Sequence, residues 1–131
     1  MFSKMIEPGF YDTDALGHIN NTRLPVWFEL ARNDLFPLFT PDMDPKKWNL
    51  ILARLEVDFI GELFFNQPVE VKTWIERIGN SSFVVLQEAW QGETLGARGR
   101  VTMVYYDWTQ KKSVRITDDI RERLQLHMAT A

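Results

Sequence analysis

Cysteine is absent from all 131 residues, which excludes disulfides, thiolate metal ligands and a cysteine nucleophile together. Histidine is scarce: His18 and His127 are the two present, too few, without a thiol, for a zinc site. Basic charge is in deficit. Fifteen Lys and Arg stand against 18 Asp and Glu, a net charge of −3, so a partner held by replacing phosphate counterions is not expected, and no nucleic acid is. No stretch approaches the ~20 apolar residues of a membrane span, and the opening MFSKMIEPGF lacks the basic start, apolar run and small-residue cleavage site of a secretory signal. A cytoplasmic protein is the expectation. Internal repeats, low-complexity tracts and linkers are missing as well, so residues 1–131 read as a single domain around one core.

What is present is ordinary globular composition, 45% apolar and 25% charged, with a generous share of aromatics. After a short segment from Phe2 to Asp12 that can form a strand, Leu24, Trp27, Phe28, Ala31, Leu35 and Leu38 recur at helical spacing between Asn21 and Phe39. Glu29, Arg32 and Asn33 fall on the other side, so one face presses on something apolar, and Pro37 and Pro41 break the run. From Leu50 the period changes to two: Leu55, Val57 and Phe59 alternate with Glu56 and Asp58, and Val69, Val71, Thr73 and Ile75 with Glu70, Lys72 and Glu76. Turn residues at Gly79–Ser82 and Gln91–Thr94 separate three long runs, which predicts an antiparallel meander. TDDIRERLQL closes the chain as a short helix capped by Thr117, with Asp118 and Asp119 at its positive end. The order predicts an α+β fold in which one helix covers one face of a curved sheet. One helix cannot close both faces and edges, so association through a sheet edge or face is expected.

The dense stretch is YDTDALGHINNTR, Tyr11–Arg23. Read structurally, Asn20, Asn21 or Thr22 caps the helix, Gly17 turns the chain and the acids sit near a helix N-terminus. A calcium loop matches Asp12, Asp14 and Gly17 but fails where Leu16 and Arg23 stand in ligand positions. A triad of Ser81 or Ser82 with His18 and an acid has no nucleophile-elbow motif behind it. The remaining reading sets a carboxylate in a turn directly before a helix whose first N–H groups are unpaired, which suits acyl transfer to water: the carboxylate activates water or attacks, and the helix end receives the oxyanion.

The same stretch, followed by the aromatic-rich WFELAR, resembles the hot-dog-fold acyl-CoA thioesterases of the 4-hydroxybenzoyl-CoA thioesterase group. ARLEVDFIGEL, VEVKTWIERIGNSSF and the long last strand carry the likeness onward. The resemblance implies a long helix wrapped by a curved antiparallel sheet of about five strands. It implies subunits joined sheet to sheet as a homodimer or dimer of dimers, with active sites at the interface. Asp14 is similar to the family's catalytic carboxylate, Gly17 to its turn glycine, and Asn21 to the position whose backbone N–H polarises the thioester carbonyl. His18 and Asn20 match the motif as residues that shape the turn or contact the substrate. Glu29 stands as an alternative carboxylate, because another branch uses a helix glutamate. Pro25 removes an N–H near the helix start, at little cost if Thr22 is the cap.

Coenzyme A enters as part of the substrate, and no metal or separate cofactor is implied. Arg98 and Arg100, sharing a strand face, are candidates for its phosphates, with Arg54, Arg77, Lys111, Lys112 and Arg115 further ones. Ser81 and Ser82 resemble a family position near the pantetheine arm. Trp27, Phe28, Phe59, Phe64 and Phe65 are available to line an acyl pocket, or simply to fill the core. Two other functions fit the same residues: a hot-dog hydratase or dehydratase using Asp14 and His18, and a non-catalytic module that binds acyl-CoA or an acyl carrier protein.

Overall fold

The computed structural model describes residues 1–129. In chain order the elements are β1 (Phe2–Ile6), α1 (Arg23–Ala31), β2 (Leu50–Phe59), β3 (Val69–Ile78), β4 (Ser82–Gln91), β5 (Thr94–Asp107), β6 (Lys112–Ser113) and α2 (Asp118–Gln125). The long strands form one antiparallel sheet in the order β1-β3-β4-β5-β2, and β6 pairs with the end of β5. The meander expected over the three long runs is therefore β3-β4-β5, and the architecture is the hot-dog arrangement implied by the resemblance. No helix among the described residues is long and apolar enough to cross a membrane.

Period-two alternation decides which side of the sheet is buried. Val69, Val71 and Ile75 on β3, Phe83, Val85 and Ala89 on β4, and Ala97, Val101 and Met103 on β5 are all buried, while their neighbours are partly exposed. Against this face α1 lays Leu24, Trp27, Phe28 and Ala31, each large apolar side chain contributing about 1.5–3 kcal/mol by burial. α2 covers the other end through Ile120 and Leu124, capped as expected by the Thr117 hydroxyl, which accepts from the Ile120 N–H at 3.4 Å.

The helical segment expected over 21–39 is divided. α1 ends at Ala31, and 3-10 turns follow at Arg32–Asp34 and Phe36–Leu38. Pro37 has no N–H to bond the carbonyl four residues back. The core meets the end of α1 with a polar side chain: Gln87 Nε2 donates to the Phe28 carbonyl at 2.9 Å and to Thr73 Oγ1 at 3.1 Å, while Gln87 Oε1 accepts from Arg32 Nη1 at 3.1 Å. Thr73 and Gln87 are directly opposite one another in the sheet. This polar row divides the buried apolar residues into two clusters, one under α1 and one under the 3-10 turns and α2. Arg32 is 3% exposed, its Nε has no partner among the described residues, and burial pushes its pKa down.

β2 lies at the edge of the sheet. Leu55 and Phe59 stand opposite Val101 and Ala97, on the side that faces α1, and both are exposed, while Val57 between them is partly buried against the cluster under α1. Its other side carries Arg54, Glu56 and Asp58, of which Glu56 and Asp58 stand opposite Arg100 and Arg98.

Candidate active site

Between β1 and α1 the chain makes a 3-10 turn at Phe10–Asp12 and then a tight loop to the helix. Asp12 is buried and holds both ends of that loop. Its carboxylate accepts from the Gly9 N–H at 2.8 Å and from Arg23 Nε, at the first residue of α1, at 2.6 Å. Its carbonyl accepts from the Asn20 N–H at 2.8 Å. Within the loop Asp14 organises the chain around its own side chain: Oδ1 accepts from the N–H groups of Leu16 at 2.8 Å and His18 at 3.1 Å, and the Asp14 N–H donates to the His18 carbonyl at 2.8 Å. Gly17 closes the loop with φ of +82°, a conformation that a side chain would strain. These bonds use one Asp14 carboxylate oxygen, and Oδ2 accepts from no group among the described residues.

The helix start leaves one donor over. The N–H of Ile19 donates to the Leu63 carbonyl, that of Thr22 to Asn20 Oδ1 at 3.0 Å, and those of Arg23 and Leu24 to the carbonyls of Asn20 and Asn21. The Asn21 N–H has no acceptor among the described residues. Thr22 is the residue before the helix, as the reading of Pro25 required, but its side chain caps no helical N–H; Asn20 Oδ1 instead holds the turn before the helix by accepting from the Thr22 N–H and from the Thr22 hydroxyl at 2.9 Å. Pro25 is the third residue of α1, where the first turn has no intrahelical use for an N–H. The proline therefore leaves the geometry at Asn21 intact.

Asp14, His18 and Asn21 line one cleft of about 360 Å³ with Leu24, Leu63 and Phe59. The facing wall is the segment after β2, and it is firmly tied. Ile60 and Gly61 both donate to the Gly96 carbonyl, His18 pairs with Phe64 as an isolated antiparallel bridge, and buried Gln91 accepts from the Phe64 N–H while its amide donates to the carbonyls of Phe64 and Gln67. Gly96 is needed behind that wall, because a Cβ there would overlap the Leu63 side chain. On this wall Glu62 brings a second carboxylate into the cleft, its Oε2 3.7 Å from His18 Nε2. Neither Glu62 nor Gln91 was legible as a site residue: each sits in or beside a loop without a motif, and only the pairing of residue 18 with residue 64 gives them their place.

The other candidates lie elsewhere. Glu29 is exposed on α1 and outside the cleft lining. Ser81 stands in the β3–β4 turn and Ser82 opens β4, where their carbonyls accept from the N–H groups of Tyr105 and Gly79 respectively, at the opposite end of the sheet from Asp14. Arg98 donates through Nε and Nη2 to Glu88, at 3.0 and 2.8 Å, and Arg100 through Nε to Glu76. The two arginines proposed for phosphate are thus already answered by carboxylates and do not line the cleft. Trp27 and Phe28 are core residues, Phe59 lines the cleft, Phe64 meets the His18 ring edge-on at 5.1 Å, and Phe65 packs on Phe10. Among the described residues no three His, Asp or Glu side chains converge as a metal ion would need.

The sequence profile of the thioesterase-like superfamily matches residues 8–124. Among solved structures, that of a predicted thioesterase from Bacillus stearothermophilus is 41% identical, covers 99% of this chain and 98% of its own, and superposes with a TM-score of 0.94. A thioesterase from Thermus thermophilus, complexed with coenzyme A and zinc, is 26% identical over 95% of this chain and 92% of its own, with a TM-score of 0.84. An uncharacterised Bacillus subtilis protein, YsmA, is 26% identical over 125 residues, 94% of this chain and 84% of its own. The profile match over residues 8–124, together with the 41% identical structure that covers 99% of the chain, places this chain in the thioesterase-like superfamily.

Proposed function

We propose that the protein hydrolyses acyl-CoA thioesters, with Asp14 as the catalytic carboxylate and the backbone N–H of Asn21 as the oxyanion donor, as in the 4-hydroxybenzoyl-CoA group. The observation that carries the reading is the pairing of two uncommitted groups on one cleft: the free Asp14 Oδ2 and the free Asn21 N–H. Asp14 Oδ2 takes a proton from water, the water oxygen adds to the thioester carbonyl, and the resulting oxyanion is received by the Asn21 N–H at the positive end of α1. Collapse then expels the thiolate of the carrier, which takes the proton held on Asp14 and so regenerates the carboxylate. Gly17 and the two N–H groups on Oδ1 fix the carboxylate before substrate arrives, and the Asn20 side chain sets the helix start. Apolar Leu24, Leu63 and Phe59 offer the acyl group a place to lie.

Coenzyme A as carrier is supported by the coenzyme A complex of the Thermus relative. Assembly as a homodimer through the β2 edges, or as a dimer of such dimers, is supported by the exposed apolar side of that strand, Leu52, Leu55 and Phe59, beside the open wall of the cleft. A thiol-release assay over a panel of acyl-CoA thioesters tests the proposal. Wild-type protein releases thiol, and Asp14→Asn lowers kcat by about 100- to 10,000-fold, the contribution of a positioned base.

A further inference from the structure

Asp12, Asp34, Asp42, Glu76 and Glu88 each have a Lys or Arg within 4 Å. The two carboxylates of the Asp14 cleft have none among the described residues. Asp14 forms no ion pair there, and Glu62 meets His18, with Oε2 3.7 Å from Nε2, beyond hydrogen-bond distance. No Lys or Arg lines the cleft, whose remaining surface is Asn21, apolar side chains and glycine. The positive pole that faces it is the start of α1, and in the thioesterase reading the developing oxyanion takes that pole.

The backbone under Glu62 is pinned on both sides. Before it, the Gly61 N–H donates to the Gly96 carbonyl at 3.0 Å, and after it the Leu63 carbonyl accepts from the Ile19 N–H at 2.8 Å. One residue further, the N–H and the carbonyl of Phe64 are both held by the buried Gln91 amide. The root of the Glu62 side chain is therefore fixed opposite the Asp14 loop. Its 68% exposure sets the carboxylate at the mouth of the cleft.

We propose that Glu62 is a specificity-determining residue: with Asp14 it makes the cleft reject acyl groups that end in a carboxylate, so that thioesters of neutral acyl groups are the substrates and half-thioesters of short dicarboxylic acids are not. The proposal rests on the thioesterase reading and adds to it the charge class of the acyl group. Asp14 Oδ2 and the Asn21 N–H fix the thioester carbonyl, and in a cleft of about 360 Å³ a terminal group a few bonds away stays among the same residues. An anion there loses water, gains no counter-ion and stands near two like charges. A neutral terminus meets Leu24, Leu63 and Phe59 instead. Selection of this kind comes from repulsion of the wrong substrate more than from added contact with the right one. Asp14 shares in the repulsion but cannot be changed without loss of the base. Glu62 can be, which makes its share measurable.

The test compares the coenzyme A thioester of glutaric acid with that of its terminal monoamide, which differ in charge and hardly in shape. In wild type kcat/KM is higher for the amide by about tenfold or more. Glu62→Gln lowers that ratio about threefold or more, and Glu62→Lys lowers it further. Added salt compresses the wild-type ratio more than that of Glu62→Gln, because screening acts on a charge the variant lacks. A residue that merely held the wall would move both thioesters together and leave the ratio and its salt response as they were. Equal kcat/KM for the two thioesters in wild type overturns the proposal, and so does a ratio that neither Glu62→Gln nor Glu62→Lys changes. If wild type hydrolyses neither thioester, calorimetric affinities of the two corresponding thioether analogues for wild type and Glu62→Lys decide whether Glu62 excludes the anion. Absence of thiol release from every acyl-CoA offered fails the thioesterase reading by itself and leaves that comparison of affinities standing.

Discussion

Asp12 is the residue on which the active-site loop hangs, and removing its side chain has a calculable cost. In Asp12→Ala two hydrogen bonds to a buried carboxylate disappear, one from the Gly9 N–H and one from Arg23 Nε. Bonds to a charged acceptor contribute about 1.5–3 kcal/mol each, but the Arg23 side chain is 32% exposed, so water takes up part of its loss and a total of about 2–4 kcal/mol remains. At ~2.1 cal/mol/K per residue the unfolding entropy of 131 residues is about 0.28 kcal/mol/K, which converts that loss into a Tm lower by about 7–14 °C. The perturbation also reaches the chemistry, because the same carboxylate fixes Arg23 and so the start of α1, two residues beyond Asn21. Below its melting temperature the variant turns over about tenfold or more slowly, since small misplacement of a donor is costly. Scanning calorimetry and thiol release on the same sample check both. A melting temperature within about 2 °C of wild type, or normal kcat in a destabilised protein, refutes this account of Asp12.

Three further outcomes are expected. Gln87→Leu strips partners from Arg32, Thr73 and the Phe28 carbonyl and costs about 2–4 kcal/mol, whereas Arg32→Met, which removes a buried charge with one bond and an unpartnered Nε, costs less; urea midpoints in the reverse order contradict the polar row. His127 is held below its ordinary pKa of 6.5, first by burial and then by the N-terminal ammonium beside it, so the unfolded chain binds more protons in that range. Its share of stability is complete above pH 6.5 and is lost as pH falls through the lowered folded value, and His127→Phe, which keeps the ring stack on Phe2, flattens that part of the urea-midpoint profile. Leu55→Asp at the centre of β2 is expected to give monomers by light scattering and to abolish thiol release; a dimer that survives it removes the β2 edge from the interface.

The strands were legible because their cause is local. Alternation over Val69–Ile78, bounded by Pro68 and Gly79, has a single sheet solution, and β3 has those limits. The helix was less so: Pro37 announced its end, but Gln87 reaching up to the Phe28 carbonyl is a contact across 59 residues and leaves no trace in a helical stripe. In the site, the motif placed Asp14, Gly17, His18 and Asn21 together because all lie within one short loop. It offered three residues as the cap, but no side chain caps α1, and Asn20 instead braces the turn before it. Glu62 and Gln91 join through strand pairing. Arg98 and Arg100 illustrate the opposite limit, since a shared strand face shows where two cations point but not that Glu88 on the neighbouring β4 and Glu76 on β3, one strand further, already answer them.

The account depends most on Asp14 acting as a base in thioester hydrolysis. Thiol release from acyl-CoA thioesters of increasing acyl length, measured side by side for wild type and Asp14→Asn under saturating substrate, tests it directly. Turnover by wild type with kcat lower by about 100-fold or more in the variant is the result predicted. Equal rates for the two proteins, or no thiol released by wild type from any member of the series, would contradict it.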